Sequence, residues 1–168
     1  MEEANMNISI TAVGAERIAL LAEMDKLIYG KADAFSEKDF EDPDYKNFLV
    51  TLDDAPIGST VLAPNKGVAE SYDAPLPEAD GTLYIISTAI LPQFQRQGIG
   101  SIIKAWQIAY ARRNAFKKIV TNTRASNLAS IALNQKFGFR IARTIPEYYN
   151  PDDAGEPRED TIVLQLDI

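Results

Sequence analysis

The chain has 168 residues, which is enough for one compact domain with its own core, so we expect a single domain over residues 1–168. Its 46% hydrophobic and 24% charged residues are typical of a soluble globular protein, and its formal net charge of −7 disfavours a nucleic-acid binder or an anionic-membrane binder. Because the chain has no Cys and no His, disulfides, thiolate or imidazole metal sites and Cys or His catalysis are excluded, and we expect no metal.

The amino-terminal segment is acidic and lacks the basic and apolar regions of a secretory signal. No run approaches the roughly 18 apolar residues that a membrane span needs. These two observations predict a cytoplasmic protein that has no contact with a membrane.

The first half of the chain alternates strand and helix patterns before a loop rich in Pro, Gly and acidic residues. It predicts a strand, a helix, a short helix or loop, two strands of a hairpin and an exposed loop: Asn7–Val13, Ala15–Tyr29, Ala34–Asn47, Phe48–Leu52 with Ile57–Ala63, and Asn65–Asp80. The predicted helix has residues near helical spacing on one face, widened by neighbouring apolar residues: Ile18, Leu21, Ala22, Asp25 and Tyr29, with Leu20, Met24, Leu27 and Ile28.

The second half begins with an apolar, β-rich run that suits a central strand. It predicts, in order, a strand, a helix, a strand, a helix and two strands joined by a polar loop: Thr82–Ile90, Gly98–Asn114, Lys118–Thr123, a helix capped by Ser126 or Asn127 and ending at Phe137, Phe139–Thr144, and Thr161–Asp167 after Pro151–Glu159. The strand-helix-strand crossovers make some strands parallel and the early hairpin is antiparallel, so we expect an α/β fold with a mixed sheet and helices on both faces.

The charges are distributed unevenly along the chain. Residues 81–146 contain ten of the 17 Lys and Arg residues and none of the 24 Asp and Glu residues. Chance and solvated surfaces are one explanation. The other is that this basic, acid-free middle receives an anionic ligand, while the acidic flanks attract a cation.

A glycine motif, Gln95-Arg96-Gln97-Gly98-Ile99-Gly100, connects a predicted strand to a predicted helix. Glycines let a backbone approach a ligand closely, and the N–H groups at a helix start favour a phosphate. The motif lacks the Gly-Lys-Ser/Thr of a nucleoside-triphosphate loop and the third glycine of the dinucleotide fingerprint. The glycine spacing alone is equally compatible with a tight strand-to-helix turn.

The motif and its surroundings resemble the GNAT superfamily of N-acetyltransferases over about residues 7–168. Gln-x-x-Gly-x-Gly after Ile90-Leu91-Pro92 is similar to that family's acetyl-CoA loop, and a matching later strand, Asn-led helix and Gly-Phe turn follow. These later features are Thr123-Arg124-Ala125-Ser126-Asn127, Ile131-Ala132-Leu133 and Phe137-Gly138-Phe139. The tail, with Pro146-Glu147-Tyr148-Tyr149, is similar to enzymes that acetylate protein amino termini. The resemblance implies a mostly antiparallel sheet of about seven strands flanked by about four helices.

The resemblance also implies roles for individual residues. Acetyl-CoA would be the co-substrate, and the residues around it would be Thr88, Ala89, Ile90, Gln95, Arg96, Gln97, Gly98, Ile99, Gly100, Ser101 and Asn127. In this assignment the first three line the pantetheine arm, the loop holds the pyrophosphate, and the Ile90 N–H polarises the thioester carbonyl. Asn127 would bind the pantetheine or serve as an ordinary helix cap. Tyr148 and Tyr149 would be catalytic, stabilising or protonating the leaving thiolate near the acceptor, or would only pack at its rim.

Two positions depart from the family's pattern. Asn122 stands where a Glu often serves as the base, and Asn134 stands where a Tyr often protonates the leaving thiolate. An amide does neither at neutral pH. Glu147 is the nearest carboxylate along the chain, although we expect a surface role for it.

The resemblance therefore implies acetyl transfer from acetyl-CoA to a primary amine, by direct attack in a ternary complex. The acceptor would be a small molecule, such as a polyamine or an aminoglycoside, or a protein amino terminus. The alternative is a CoA-binding sensor with little catalysis, which the two Asn residues would favour. A homodimer is also compatible with the sequence, since the terminal strands could pair between subunits.

Overall fold

The computed structural model describes residues 6–64, 81–149 and 158–168. The described elements are β1 (Ile8–Ala12), α1 (Ile18–Asp33), α2 (Glu37–Phe40), β2 (Lys46–Leu52), β3 (Ala55–Pro64), β4 (Thr82–Ile90), α3 (Ile99–Arg113), β5 (Lys118–Arg124), α4 (Leu128–Lys136), β6 (Arg140–Tyr149) and β7 (Glu159–Asp167). Short 3-10 turns at Ala15–Arg17 and Pro92–Phe94 precede α1 and α3. The predicted loop Asn65–Asp80 lies outside the described residues, and so does the predicted loop Pro151–Glu159 up to residue 157.

The first of two compact units contains the described residues up to Leu62 together with Ser87–Ile103. Its strands β1, β2 and β3 pair antiparallel, with Ile10 opposite Val50 and Val50 opposite Gly58. The β2–β3 hairpin turns at Asp53 and Asp54, both of which have positive φ (48° and 66°), as a tight primed turn requires. Its core cluster consists of Val50, Ile57, Ile99 and Ile103.

The second compact unit contains the described residues of Ala63–Ile86 and Lys104–Ile168. Here β4 pairs parallel with β5, in a register from Thr82↔Lys118 to Ile85↔Thr121. Strand β7 lies between β5 and β6 and pairs antiparallel with both. Parallel neighbours need a crossover connection, which α3 supplies between β4 and β5.

The strand order among the described residues is β1-β2-β3-β4-β5-β7-β6. The seven strands are mostly antiparallel and accompany four α-helices, so the expected mixed α/β architecture is confirmed. Whether residues 1–168 behave as one domain stays a prediction.

Most predicted element boundaries lie within three residues of the observed ones, and two carboxyl ends differ by more. Helix α1 continues past Tyr29 to Asp33, across a non-helical Gly30 with φ 76°. Strand β6 continues past Thr144 to Tyr149, across a register shift between Ile145 and Tyr149. The polar Pro-Glu-Tyr sequence lies in this irregularity, and the bulge interrupts the apolar-polar alternation of the strand. The alternation therefore did not predict this part of β6. Glu159 belongs to β7 and not to the preceding loop.

Candidate functional site

The carboxyl end of β4 is held by side-chain hydrogen bonds to three of its last four carbonyl groups. The donors come from α1, from β3 and from the loop that follows β4. The pairs are Tyr29 Oη to Thr88 O at 2.8 Å, Thr60 Oγ1 to Ser87 O at 3.0 Å, and Gln95 Nε2 to Ile90 O at 2.9 Å. These bonds fix the backbone that contains Thr88, Ala89 and Ile90.

Strands β3 and β4 approach each other closely at Gly58. A Cβ atom at Gly58 would overlap the carbonyl oxygen of Ala89 and lie 3.2 Å from the Cα of Ile90. One residue further along, the Leu91 N–H donates to the Ile57 carbonyl at 2.8 Å. The close contact of the two backbones therefore requires glycine at position 58. The glycine motif at Gln95–Gly100 gave no indication of this requirement.

The loop after β4 contains two residues in the left-handed region, Arg96 with φ 60° and Gly98 with φ 82°. Residues 95–98 are exposed, and a Cβ at Gly98 would meet nothing within 4 Å. The side chain of Gln97 braces the loop, because its Nε2 donates to the Gln93 carbonyl at 3.0 Å. A left-handed residue in a tight loop turns successive N–H groups toward one side, which creates a concave anion site.

Helix α3 begins immediately after this loop, at Ile99. Ile99 is buried in the core cluster with Val50 and Ile57, so the helix start is anchored. The first turn of a helix leaves backbone N–H groups without intrahelical partners and carries the positive end of the helix dipole. The structure thus brings ten of the predicted co-substrate residues together in one unit: Thr88, Ala89, Ile90, Gln95, Arg96, Gln97, Gly98, Ile99, Gly100 and Ser101.

The remaining predicted site residues lie in the second unit. Asn127 is the N-cap of α4, and its Oδ1 accepts a hydrogen bond from the Ser130 N–H at 3.1 Å. The side chain therefore has the ordinary capping role. Because its oxygen is used in the cap, only its amide NH₂ could contact a pantetheine. Tyr148 is half-buried at the bulge of β6, and Tyr149 lies opposite Glu159 in the β6–β7 register.

The two Asn residues at the family's acid and base positions make structural hydrogen bonds. Asn122 Nδ2 donates to Thr161 Oγ1 at 3.1 Å, and the buried Asn134 donates from Nδ2 to the Ser130 carbonyl at 2.8 Å. Glu147 forms an exposed ion pair with Arg158 at 3.0 Å. These contacts fit a surface role for Glu147 and assign no proton transfer to either Asn.

Asp25 on α1 is a buried carboxyl that the sequence-based prediction did not include in the site. It is 2% exposed, its Oδ2 accepts the Phe35 N–H at 2.8 Å, and its Oδ1 has no hydrogen-bond partner. Burial raises the pKa of Asp25; the bond from Phe35 lowers it and the nearby Asp39 carboxylate raises it further. The signal was present in the sequence, since an acidic residue stands at helical spacing among apolar ones.

Lys104 on α3 is a second buried charged residue, in the acid-free stretch. Its side chain is 5% exposed and its Nζ lies 5.0 Å from the centre of the Phe139 ring. Burial lowers the pKa of Lys104 to about 7. Among the described residues, no group of acidic side chains is arranged to hold a metal ion, and no helix is long and apolar enough to cross a membrane.

Comparison with known families gives one match that covers most of the chain. A model described as the acetyltransferase (GNAT) family matches residues 17–139. The ribosomal protein bS18 alanine N-acetyltransferase of Escherichia coli K12 is 35% identical over 89 residues, which are 53% of this chain and 57% of that enzyme. The corresponding enzyme of Salmonella typhimurium is 36% identical over the same length. The chain therefore matches little more than half the length of these curated relatives.

Solved structures show the same fold over almost the whole chain. The ribosomal-protein-S18-alanine N-acetyltransferase from Escherichia coli has a TM-score of 0.76 at 24% identity, and the match covers 96% of this chain and 94% of that one. An acetyltransferase from Elizabethkingia anophelis, solved with acetyl-CoA bound, has a TM-score of 0.74 at 24% identity, with 96% and 99% covered.

Proposed function

The chain belongs to the acetyltransferase (GNAT) family, and on that premise we propose that it transfers an acetyl group from acetyl-CoA to a primary amine. The reaction is a direct attack of the amine on the thioester, in a ternary complex. The observation that carries this proposal is the continuous site formed by the braced end of β4, the left-handed loop and the start of α3.

The loop and the start of α3 hold the pyrophosphate of CoA. Backbone N–H groups from Arg96 to Ser101 donate to its oxygens, the dipole of α3 favours its charge, and the exposed Arg96 adds a cation. The Gln95 N–H, which was also predicted to bind the pyrophosphate, donates instead to the Pro92 carbonyl at 3.3 Å. The open space beside Gly98 fits this role, since a ligand can approach the backbone there.

The end of β4 holds the acetyl-pantetheine arm. The backbone of Thr88 and Ala89 lines the arm, and the N–H of Ile90 polarises the thioester carbonyl. Preorganised donors of this kind are effective because they need no rearrangement as charge develops on the oxygen. The hydrogen bonds to Ser87, Thr88 and Ile90 supply that preorganisation. The contact of Asn127 with the arm and the roles of Tyr148 and Tyr149 near the acceptor stay predictions.

The acceptor is a cationic amine, either a small molecule or a protein amino terminus. Acidic residues concentrate in and around α2, including Asp33, Glu37, Asp39 and Asp44, and would draw a cation toward the same unit that contains Thr88–Ile90. The curated relatives are named for the alanine of a ribosomal protein, so a peptide with an amino-terminal Ala belongs among the first acceptors tested. A cytoplasmic location and a homodimer stay predictions.

An acceptor screen tests this function. Acetyl-CoA is incubated with the protein and with one of three acceptors: a peptide beginning with Ala, spermidine or an aminoglycoside. Release of the CoA thiol and the acetylated product are measured. We expect turnover with at least one amine. Tight acetyl-CoA binding with no turnover on any amine would support the sensor alternative, which the enzyme names of the relatives do not favour.

A further inference from the structure

The phenol of Tyr29 lies at the end of β4, where the proposed function places the thioester arm. Its hydroxyl donates to the Thr88 carbonyl at 2.8 Å, and the residue is 42% exposed. Tyr29 is therefore partly open to solvent at this end of β4. Tyr29 directly precedes Gly30, whose φ of 76° breaks the helical path of α1.

The segment that follows Tyr29 is fixed by local contacts. Asp25, one helical turn before Tyr29, accepts the Phe35 N–H across this break. The Phe35 ring meets the Phe40 ring edge-on at 5.5 Å and stacks on the Tyr45 ring at 6.5 Å. These contacts hold the backbone on both sides of Gly30, and the bond to Thr88 holds the Tyr29 hydroxyl at the end of β4.

Acetyl transfer to an amine needs one proton donor and one proton acceptor. The C–S bond of the thioester breaks and leaves a thiolate, while the attacking nitrogen must lose a proton. Asn122 and Asn134 supply neither group, because amides do not titrate at neutral pH and both donate to structural partners. A phenol, with a typical pKa near 10, donates a proton to a departing thiolate and can take one back from a more acidic ammonium.

We propose that Tyr29 is the proton donor to the departing CoA thiolate and that Asp25 is the positioning residue that fixes its segment; this inference rests on the proposed function. As the C–S bond breaks, the Tyr29 hydroxyl exchanges its bond to Thr88 O for one to sulfur and transfers its proton. The resulting phenolate takes a proton from the new ammonium of the attacking nitrogen, through water. Tyr29 is thereby regenerated, and free CoA thiol and acetylated amine leave.

Tyr29→Phe tests the role of Tyr29, with Tyr110→Phe as the matched control. Tyr110 is a Tyr on α3 whose ring packs on Trp106 at 5.4 Å, and it has no part in the proposed site. We expect kcat to fall by about 10²- to 10³-fold in Tyr29→Phe, while the Kd for acetyl-CoA, measured by calorimetry, changes much less, because the bonds from Thr60 and Gln95 still hold the end of β4. The alkaline decrease in kcat, which ionisation of an essential phenol causes, should disappear in Tyr29→Phe and persist in the control.

The outcomes separate the inference from the proposed function. Suppose that the wild type and Tyr110→Phe turn over the best amine, and that Tyr29→Phe keeps both the wild-type kcat and its decrease at alkaline pH. Then only the inference is overturned. If Tyr29→Phe changes KM alone, Tyr29 is a structural residue, and the inference is likewise overturned. If the wild type acetylates none of the amines, the proposed function and the inference are both overturned.

Asp25 is tested by comparing Asp25→Ala with Asp25→Asn. Asn keeps an oxygen that accepts the Phe35 N–H, whereas Ala removes it. For a positioning residue we expect kcat to fall at least about tenfold in Asp25→Ala and to recover in Asp25→Asn. Asp25→Asn should also show the same decrease in kcat at alkaline pH as the wild type. An equal loss in both variants would contradict the positioning role, and the Asn variant decides the matter if the Ala variant does not fold.

Discussion

The hydroxyl of Tyr29 donates a hydrogen bond of 2.8 Å to the carbonyl oxygen of Thr88, a residue 59 positions further along the chain. This bond joins α1 to the end of β4 and accompanies the bonds from Thr60 and Gln95 to neighbouring carbonyl groups. The end of β4 is therefore a braced piece of backbone, which is what a site that works through backbone N–H groups requires.

Gly58→Ala should damage this braced strand. The new Cβ would overlap the Ala89 carbonyl, so β3 and β4 must separate at the point where the acetyl-pantetheine arm is proposed to lie. We expect a loss of about 1–3 kcal/mol in the free energy of unfolding, as for overpacked cores, together with weaker acetyl-CoA binding. Thermal unfolding and calorimetry measure the two effects. Unchanged stability and affinity would show that the strands tolerate a wider spacing.

Lys104→Met should stabilise the protein at neutral pH. Burial lowers the pKa of Lys104 from 10.5 to about 7, so the folded state releases this proton while the unfolded state keeps it. Stability therefore rises with pH between about 7 and 10.5, and below pH 7 the full cost of burying the charge is present. Met keeps the apolar contact with the Phe139 ring and carries no charge.

We expect the gain in Lys104→Met to be a few kcal/mol at pH 7 and to shrink as the pH approaches 10.5. Chemical denaturation at several pH values measures it. Lys38→Met, at an exposed position of α2, is the control and should change stability little at any pH. A destabilised Lys104→Met at pH 7 would mean that the ammonium has an unrecognised favourable contact.

Asp25→Asn should change the pH dependence of stability in the opposite sense. The pKa of Asp25 is raised by burial, so the folded state holds this proton to higher pH than the unfolded state does. The stability that Asp25 contributes is complete below its unfolded pKa, near 3.8, and is lost as pH rises through the folded pKa. Relative to the wild type, Asp25→Asn should therefore become more stable as pH rises from 4 to 8. A constant difference across that range would contradict the raised pKa.

Much of the fold and of the loop could be predicted from residue patterns. The bounds of β4 follow from its apolar run, and α3 begins one residue after the predicted start at Gly98. Gln95 to Ser101 could be predicted as a phosphate-binding loop because the residues of such a loop are contiguous in sequence. Both features are patterns of neighbouring residues, so they can be identified without knowledge of the tertiary structure.

The contacts that brace the site could not be predicted in the same way. Tyr29 and Thr88 are far apart in sequence, and the need for glycine at position 58 depends on the backbone of another strand. The carboxyl end of β6 was missed because Pro146 and Glu147 lie in a bulge that interrupts the alternation. Contacts of this kind depend on tertiary packing, which a periodic pattern does not record.

The central claim is that the backbone of the loop between β4 and α3 holds acetyl-CoA, and calorimetric titration of acetyl-CoA tests it most directly. The wild type should bind with an affinity that weakens as salt is raised. Gly98→Ala should bind more weakly, because φ is 82° there, and Gly98→Glu should lose binding, because it adds a negative charge beside the pyrophosphate. Salt-independent binding, or full affinity in a folded Gly98→Glu variant, would contradict the account.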